Sequence, residues 1–199
     1  MITIDTSKLY SGLIWHVEGT GYWSRRIQKA LNAKKQIQPC LGNHDALTIL
    51  TTDGWGICDS EPLFAKITPI DNYLDAMRKG SIKVRVFRAI GATVLQHQQA
   101  AEYWSKHIKG TFYDFFAFPR LAFKSYLFDL SDSTNPILKR IGDKACGLEW
   151  THWCTEGCAT AWQKGGCMDL WQKSNPTPYT TEKRIGKTIE EITNEVIIP

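Results

Sequence analysis

Two residues in this chain are of the types, and in the local settings, that acyl-transfer chemistry needs. Cys154 lies in Trp150-Thr151-His152-Trp153-Cys154-Thr155-Glu156-Gly157-Cys158-Ala159-Thr160-Ala161-Trp162, a stretch that reads as the opening of a helix. Trp150, Trp153, Ala161 and Trp162 fall on one side at helical spacing, and Thr151 is the candidate N-cap. A cysteine in the first turn of a helix sits in the positive end of the helix dipole, which favours thiolate over thiol. Taken alone, such a cysteine is more often a small buried hydrophobe, so a base must be found elsewhere. His44 is the candidate base. It opens the run His44-Asp45-Ala46-Leu47-Thr48-Ile49-Leu50, a strand beginning beside a loop. A third polar group would orient the imidazole, and three carboxylates compete for that role. Glu61 lies just past the end of the next, antiparallel strand, which brings it beside the start of the His44 strand. Asp59 lies two residues earlier. Asp45 adjoins His44, but neighbouring strand residues point to opposite faces, so its carboxylate is expected to face away.

The elements that must position these residues read as α+β. Ile14-Trp15-His16-Val17 has a strand-like apolar centre, and His16 is expected to be a packed or rim histidine rather than a ligand. A helix is predicted from Tyr22 to about Ala33. The strands around Ala46 and Ile57 form a hairpin about Thr52-Asp53-Gly54. A short helix follows over 68–77, with a capping Thr68 and Pro69 at its first position. Ile82, Val84 and Val86 alternate along a strand over 82–88, and 93–109 is a long helix closed by Gly110. His97 and His107 on that helix read as surface residues. An aromatic-rich helix broken at Pro119, a polar excursion over 131–143 and an extended loop over 173–179 complete the pattern. The Glu190-Glu191 pair in the tail reads as solvated.

Composition sets broad limits. The 199 residues, 43% hydrophobic and 22% charged, suit a single globular domain with a sizeable core. A net charge of +4 with scattered Lys and Arg gives no nucleic-acid footprint. No apolar run approaches a transmembrane helix, and Met1-Ile2-Thr3-Ile4-Asp5 lacks the basic and apolar regions of a secretory signal, so cytoplasmic synthesis is expected. The six cysteines, at 40, 58, 146, 154, 158 and 167, form no CxxC pair and are expected to be reduced. No cofactor is indicated. A competing reading is a zinc site drawing on His152, Cys154, Cys158 and Cys167, with Cys146, although only Cys154 and Cys158 have a zinc-type spacing. Otherwise Cys146, Cys158 and Cys167 are expected in the core.

In order along the chain, four segments carry a resemblance. Gly12-Leu13-Ile14 with Gly21-Tyr22-Trp23-Ser24-Arg25-Arg26-Ile27, then Asn43-His44-Asp45-Ala46-Leu47, then Gly110-Thr111-Phe112-Tyr113-Asp114, and finally Trp153-Cys154-Thr155-Glu156 resemble the successive motifs of the permuted papain-like hydrolases, the YiiX-like branch of the NlpC-related cysteine amidases. The resemblance spans about residues 10 to 180, with histidine before cysteine. Asp45 and Gly157 depart from the apolar residues usual at their positions. The resemblance implies a barrel-like antiparallel sheet flanked by helices, circularly permuted, with Cys154 as nucleophile, His44 as base and Glu61 at the family's acidic position. It also implies substrate-binding roles for Tyr22, Trp23 and Tyr113, in a groove to which Trp15 and Trp55 are further candidate contributors. The implied activity is hydrolysis of an amide in a peptide or peptidoglycan stem. Relatives such as lecithin retinol acyltransferase keep a lipid or ester acyl substrate open, and a binding protein that has lost catalysis is a third class.

Overall fold

The computed structural model describes residues 2–20, 42–60, 64–111, 154–172, 176 and 178–199. Its centre is an antiparallel sheet of β2 (Ile14–Gly19), β3 (His44–Thr51), β4 (Gly54–Ser60), β5 (Ala65–Pro69), β6 (Ile82–Ala89) and β7 (Ile189–Glu191), ordered β5-β4-β3-β2-β6-β7. A second small sheet pairs β1 (Thr3–Ile4) with β8 (Ile197–Ile198). The described helices are α1 (Ile70–Arg78), α2 (Val94–His107), α3 (Cys154–Lys164), α4 (Pro178–Glu182) and α5 (Thr193–Val196).

Strand alternation gives the large sheet two apolar faces. Ile14, Leu47, Ile49, Cys58 and Phe87 pack with Ala100, Ala101 and Trp104 of α2 and Cys158, Ala161 and Trp162 of α3. Trp15, Val17, Ala46, Ile57, Val84 and Val86 pack on the opposite side with Ile70 and Tyr73 of α1 and with Ile192 and Val196 near the C-terminus. Each large side chain withdrawn from water in these layers contributes roughly 1.5–3 kcal/mol. The helix carrying Cys154 thus lies on the strand carrying His44.

The hairpin, the strand over 82–89 and the long helix appear where the local pattern placed them. Thr93 caps α2 through a reciprocal capping box with Gln96. Other expectations need correction. The short helix is present as α1, but it starts at Ile70 with Pro69 as its N-cap and no side-chain cap, and Thr68 and Pro69 end β5. Pro178 opens α4 inside what reads as an extended loop, and the tail supplies β7, an edge strand of the main sheet. Glu190 and Glu191 are therefore not simply solvated: they pair with Arg88 and Arg85 at 2.6 and 2.7 Å.

His97 is buried, not on the surface. Its ring packs edge-on against Tyr10 and Trp162, and its Nδ1 lies 3.2 Å from the Gly12 carbonyl oxygen. Gly12 explains the misreading. Its φ of +86° and the 2.0 Å that would separate a Cβ from the His97 carbonyl oxygen let the backbone before β2 press onto α2. Trp15 is fully buried against Tyr73 and belongs to the core, not to a groove. Cys158 is buried as expected, whereas Cys167 is exposed at the end of the α3 segment. The predicted helix from Tyr22, the segment about Pro119 and the excursion over 131–143 lie outside the described residues.

Candidate functional site

Register decides which side chains can meet at the site. Leu47 pairs with Cys58 across β3 and β4, so the two share a face. His44, three residues from Leu47, and Asp59, one residue from Cys58, both point to the other face. His44 Nε2 lies 2.6 Å from Asp59 Oδ1. The second Asp59 oxygen accepts a hydrogen bond from the Tyr73 hydroxyl of α1 at 2.6 Å. The Asp59 side chain is 3% exposed and that of His44 21%, which makes the ring the accessible end of the pair.

Cys154, the first described residue of α3 and itself buried, stands against the same imidazole. Burial alone disfavours the His44 cation, but the Asp59 carboxylate and then the Cys154 sulfur outweigh it and hold the ring well above the ordinary histidine range. Burial likewise works against ionised Asp59, and His44 and Tyr73 reverse it, keeping the carboxyl below its usual range. With Nε2 on Asp59, Nδ1 is the nitrogen left for the thiol. A thiol, an imidazole and a carboxylate in this order form a proton-transfer chain ending at a nucleophile.

No family model matches the chain, and no curated protein matches it. Among solved structures it is similar to the crystal structure of metalloprotein yiiX from Escherichia coli O157:H7, at 19% sequence identity and a TM-score of 0.51, over 92% of this chain and 88% of that one. The chain has a YiiX-like fold. At this identity the likeness concerns fold alone.

Within this YiiX-like fold, the sheet carries a second histidine–carboxylate group on the α3 side. His16 Nδ1 lies 2.6 Å from Asp45 Oδ1, and its Nε2 lies 3.0 Å from Glu182 Oε1 of α4. Asp45 Oδ2 accepts from the hydroxyls of Thr155 at 2.6 Å and Thr181 at 2.8 Å. Glu182 Oε1 also accepts from the Gly42 backbone N–H at 3.0 Å. Only glycine fits at 42, since a Cβ there would sit 1.8 Å from His16 Nε2. Burial opposes the His16 charge, but the two carboxylates raise its pKa to about 9, so both ring nitrogens donate. Asp45 does face away from His44, as strand alternation requires.

Of the residues singled out in the sequence, the structure brings together Cys154 and His44, with Asp59 as the carboxylate on the imidazole. Glu61, Tyr22, Trp23 and Tyr113 lie outside the described residues, as do His152 and Cys146 of the competing zinc set. Cys154, Cys158 and Cys167 do not gather, and among the described residues no three or more His, Cys, Asp or Glu form a metal-holding group. Tyr73, Thr155, Thr181 and Glu182 were not identified from sequence as site residues. Only Thr155, beside Cys154, carried a local signal; the others reach the site through long-range packing.

Proposed function

We propose that the chain is a cysteine-dependent hydrolase that cleaves an amide bond through an acyl-thioester on Cys154. The observation that carries this reading is the placement of His44 between the Asp59 carboxylate, at 2.6 Å, and the Cys154 side chain at the start of α3. On attack the Cys154 proton passes to His44, and the imidazolium is balanced by Asp59. The sulfur attacks the substrate carbonyl, and His44 gives the proton to the leaving amine as the C–N bond breaks. Water then attacks the thioester. His44 takes its proton, the C–S bond breaks, and a carboxylic acid and the free thiol result. The Cys154 backbone N–H is a candidate donor to the transient oxyanion, an interaction worth about 3 kcal/mol where such donors are preorganised.

In this reading Asp59 orients the imidazole, the role first assigned to Glu61. A papain-like, NlpC-related core in circularly permuted order, with histidine before cysteine, is part of the proposal, as is an amide of a peptide or peptidoglycan stem as substrate. The similar solved structure is named a metalloprotein. The described residues of this chain do not fit a metal, because no three or more His, Cys, Asp or Glu among them gather as ligands and both nitrogens of His16 already face carboxylates. No step of the proposed reaction passes through one.

The test is covalent labelling with a thiol-reactive acyl probe, read by intact mass and peptide mapping. Wild-type protein should be acylated at Cys154. Cys154→Ala should abolish that adduct, and His44→Ala should slow it by roughly a hundredfold or more. Labelling unchanged by either substitution contradicts the assignment.

A further inference from the structure

The buried network on the α3 side of the sheet touches both chain segments that carry the reacting pair. Asp45 is the residue after His44, and Thr155 is the residue after Cys154. The hydrogen bond from Thr155 Oγ1 to Asp45 Oδ2, at 2.6 Å, ties those two segments together one residue beyond the reacting side chains. Thr155 Oγ1 also lies 3.9 Å from the Cys154 sulfur. On the other side of His44, Gly42 is held by Glu182, and His16 joins Glu182 to Asp45. Thr181 of α4 completes the set on Asp45 and accepts in turn from the Trp171 indole N–H at 3.1 Å.

These contacts are not an ordinary way to fill a core. Asp45, Thr155 and Thr181 are buried with His16 beneath the sheet, where a charged pair is costly unless every lone pair and proton is matched. Three side-chain donors on Asp45 and two acceptors on His16 meet that demand, and the group draws together four chain segments, β2, β3, α3 and α4. Apolar side chains would fill the same volume but would fix no angle between α3 and β3. Hydrogen bonds fix both direction and register.

We propose that Asp45 and Glu182, joined through His16, form a positioning clamp that sets Cys154 against His44, with Thr155 as its link to the nucleophile. The α4 segment, more than twenty residues beyond the nucleophile, is in this view part of the active site's support. The inference rests on the Cys154–His44 reading of the site. Asp45 contacts no reacting atom of that scheme, and Thr155 meets the Cys154 sulfur only through the long 3.9 Å contact of its hydroxyl and forms or breaks no bond in it; both act through the placement of the pair.

The experiment measures the rate of Cys154 alkylation by iodoacetamide from pH 5.5 to 9.5, with peptide mapping and exposed Cys167 as the thiol reference in the same molecule. Thr155→Val keeps the shape of the side chain and removes its hydrogen bond; Thr155→Ser restores the hydroxyl. Thr155→Val should lower the Cys154 rate about tenfold near pH 6, with a smaller deficit at pH 9.5, where thiols ionise without help. Thr155→Ser should return it to within about twofold of wild type, and Cys167 should not change in either variant. Equal Cys154 rates in Thr155→Val and wild type, with a slow His44→Ala control, overturn the clamp and leave the catalytic reading standing. A deficit in Thr155→Val that Thr155→Ser does not repair also overturns the clamp, since it points to packing alone. A His44→Ala control as fast as wild type overturns both.

Discussion

The sheet carries a histidine–aspartate pair on each face, built from the same side chains at the same 2.6 Å separation. In the pair beneath α3, the side chains of His16 and Asp45 are 1% and 0% exposed, and the second ring nitrogen of His16 is held by Glu182. In the other pair, His44 is 21% exposed and has the Cys154 side chain, not a second carboxylate, as its other partner. The distinction is one of vacancy. An imidazole with both nitrogens engaged by carboxylates can hold chain segments together but has no free site for a proton in transit. An imidazole with one carboxylate and one thiol can take a proton and return it. The ion pair by itself therefore says little about function; the partner of the second nitrogen decides.

The largest way to break this comparison is to remove the charge from the holding pair. Asp45→Asn leaves His16 beneath the sheet with one anionic partner instead of two and weakens the bonds to Thr155 and Thr181. Loss of one partner of a buried ion pair costs about 3–5 kcal/mol. Urea denaturation should register a fall of that size, and a change below about 1 kcal/mol would contradict a structural role for the pair.

The pH dependence of stability separates the faces further. The folded-state pKa of His16, about 9, is raised above the ordinary value near 6.5, so its contribution is complete below pH 6.5 and is lost as pH rises through 9. The difference corresponds to about 3 kcal/mol. His44, also raised, adds to the same alkaline loss. His97 works in the opposite direction: burial, opposed only in part by its bond to Gly12, lowers its pKa to about 4, so it destabilises the fold as pH falls from 6.5 toward 4. Stability should therefore be highest near pH 6.5. His44→Ala should retain an alkaline loss of about 3 kcal/mol between pH 6.5 and 9.5, because that share originates beneath α3. A flat profile in His44→Ala would contradict it.

How much of this was readable in the sequence follows the range of the interactions. His44 at the start of a strand and Cys154 at the head of a helix carry local signals, as do the turn at Asp53 and the Thr93 cap. The choice among Asp45, Asp59 and Glu61 was not local. Alternation removed Asp45 from the His44 face, but selecting Asp59 required the β3–β4 register and the hydroxyl of Tyr73, which reaches Asp59 from α1. The holding pair was further from view. Glu182 meets His16 across 166 positions of sequence, and its segment reads as an ordinary charged tail. β5 was missed because Thr68 and Pro69 read as the cap and first position of the following helix, although a proline is also tolerated on an edge strand. His97 was misplaced because only the folded backbone at Gly12 covers it.

The central claim, that His44 and Asp59 act on Cys154 as one unit, is tested most directly by the rate of Cys154 alkylation at pH 6 in Asp59→Asn. Asparagine keeps the size of the side chain and removes the charge that balances the imidazolium. The expected result is a fall of about a hundredfold, in the range of general acid–base contributions, in a protein that remains folded and whose Cys167 reacts as before. A Cys154 rate within about twofold of wild type would contradict the claim.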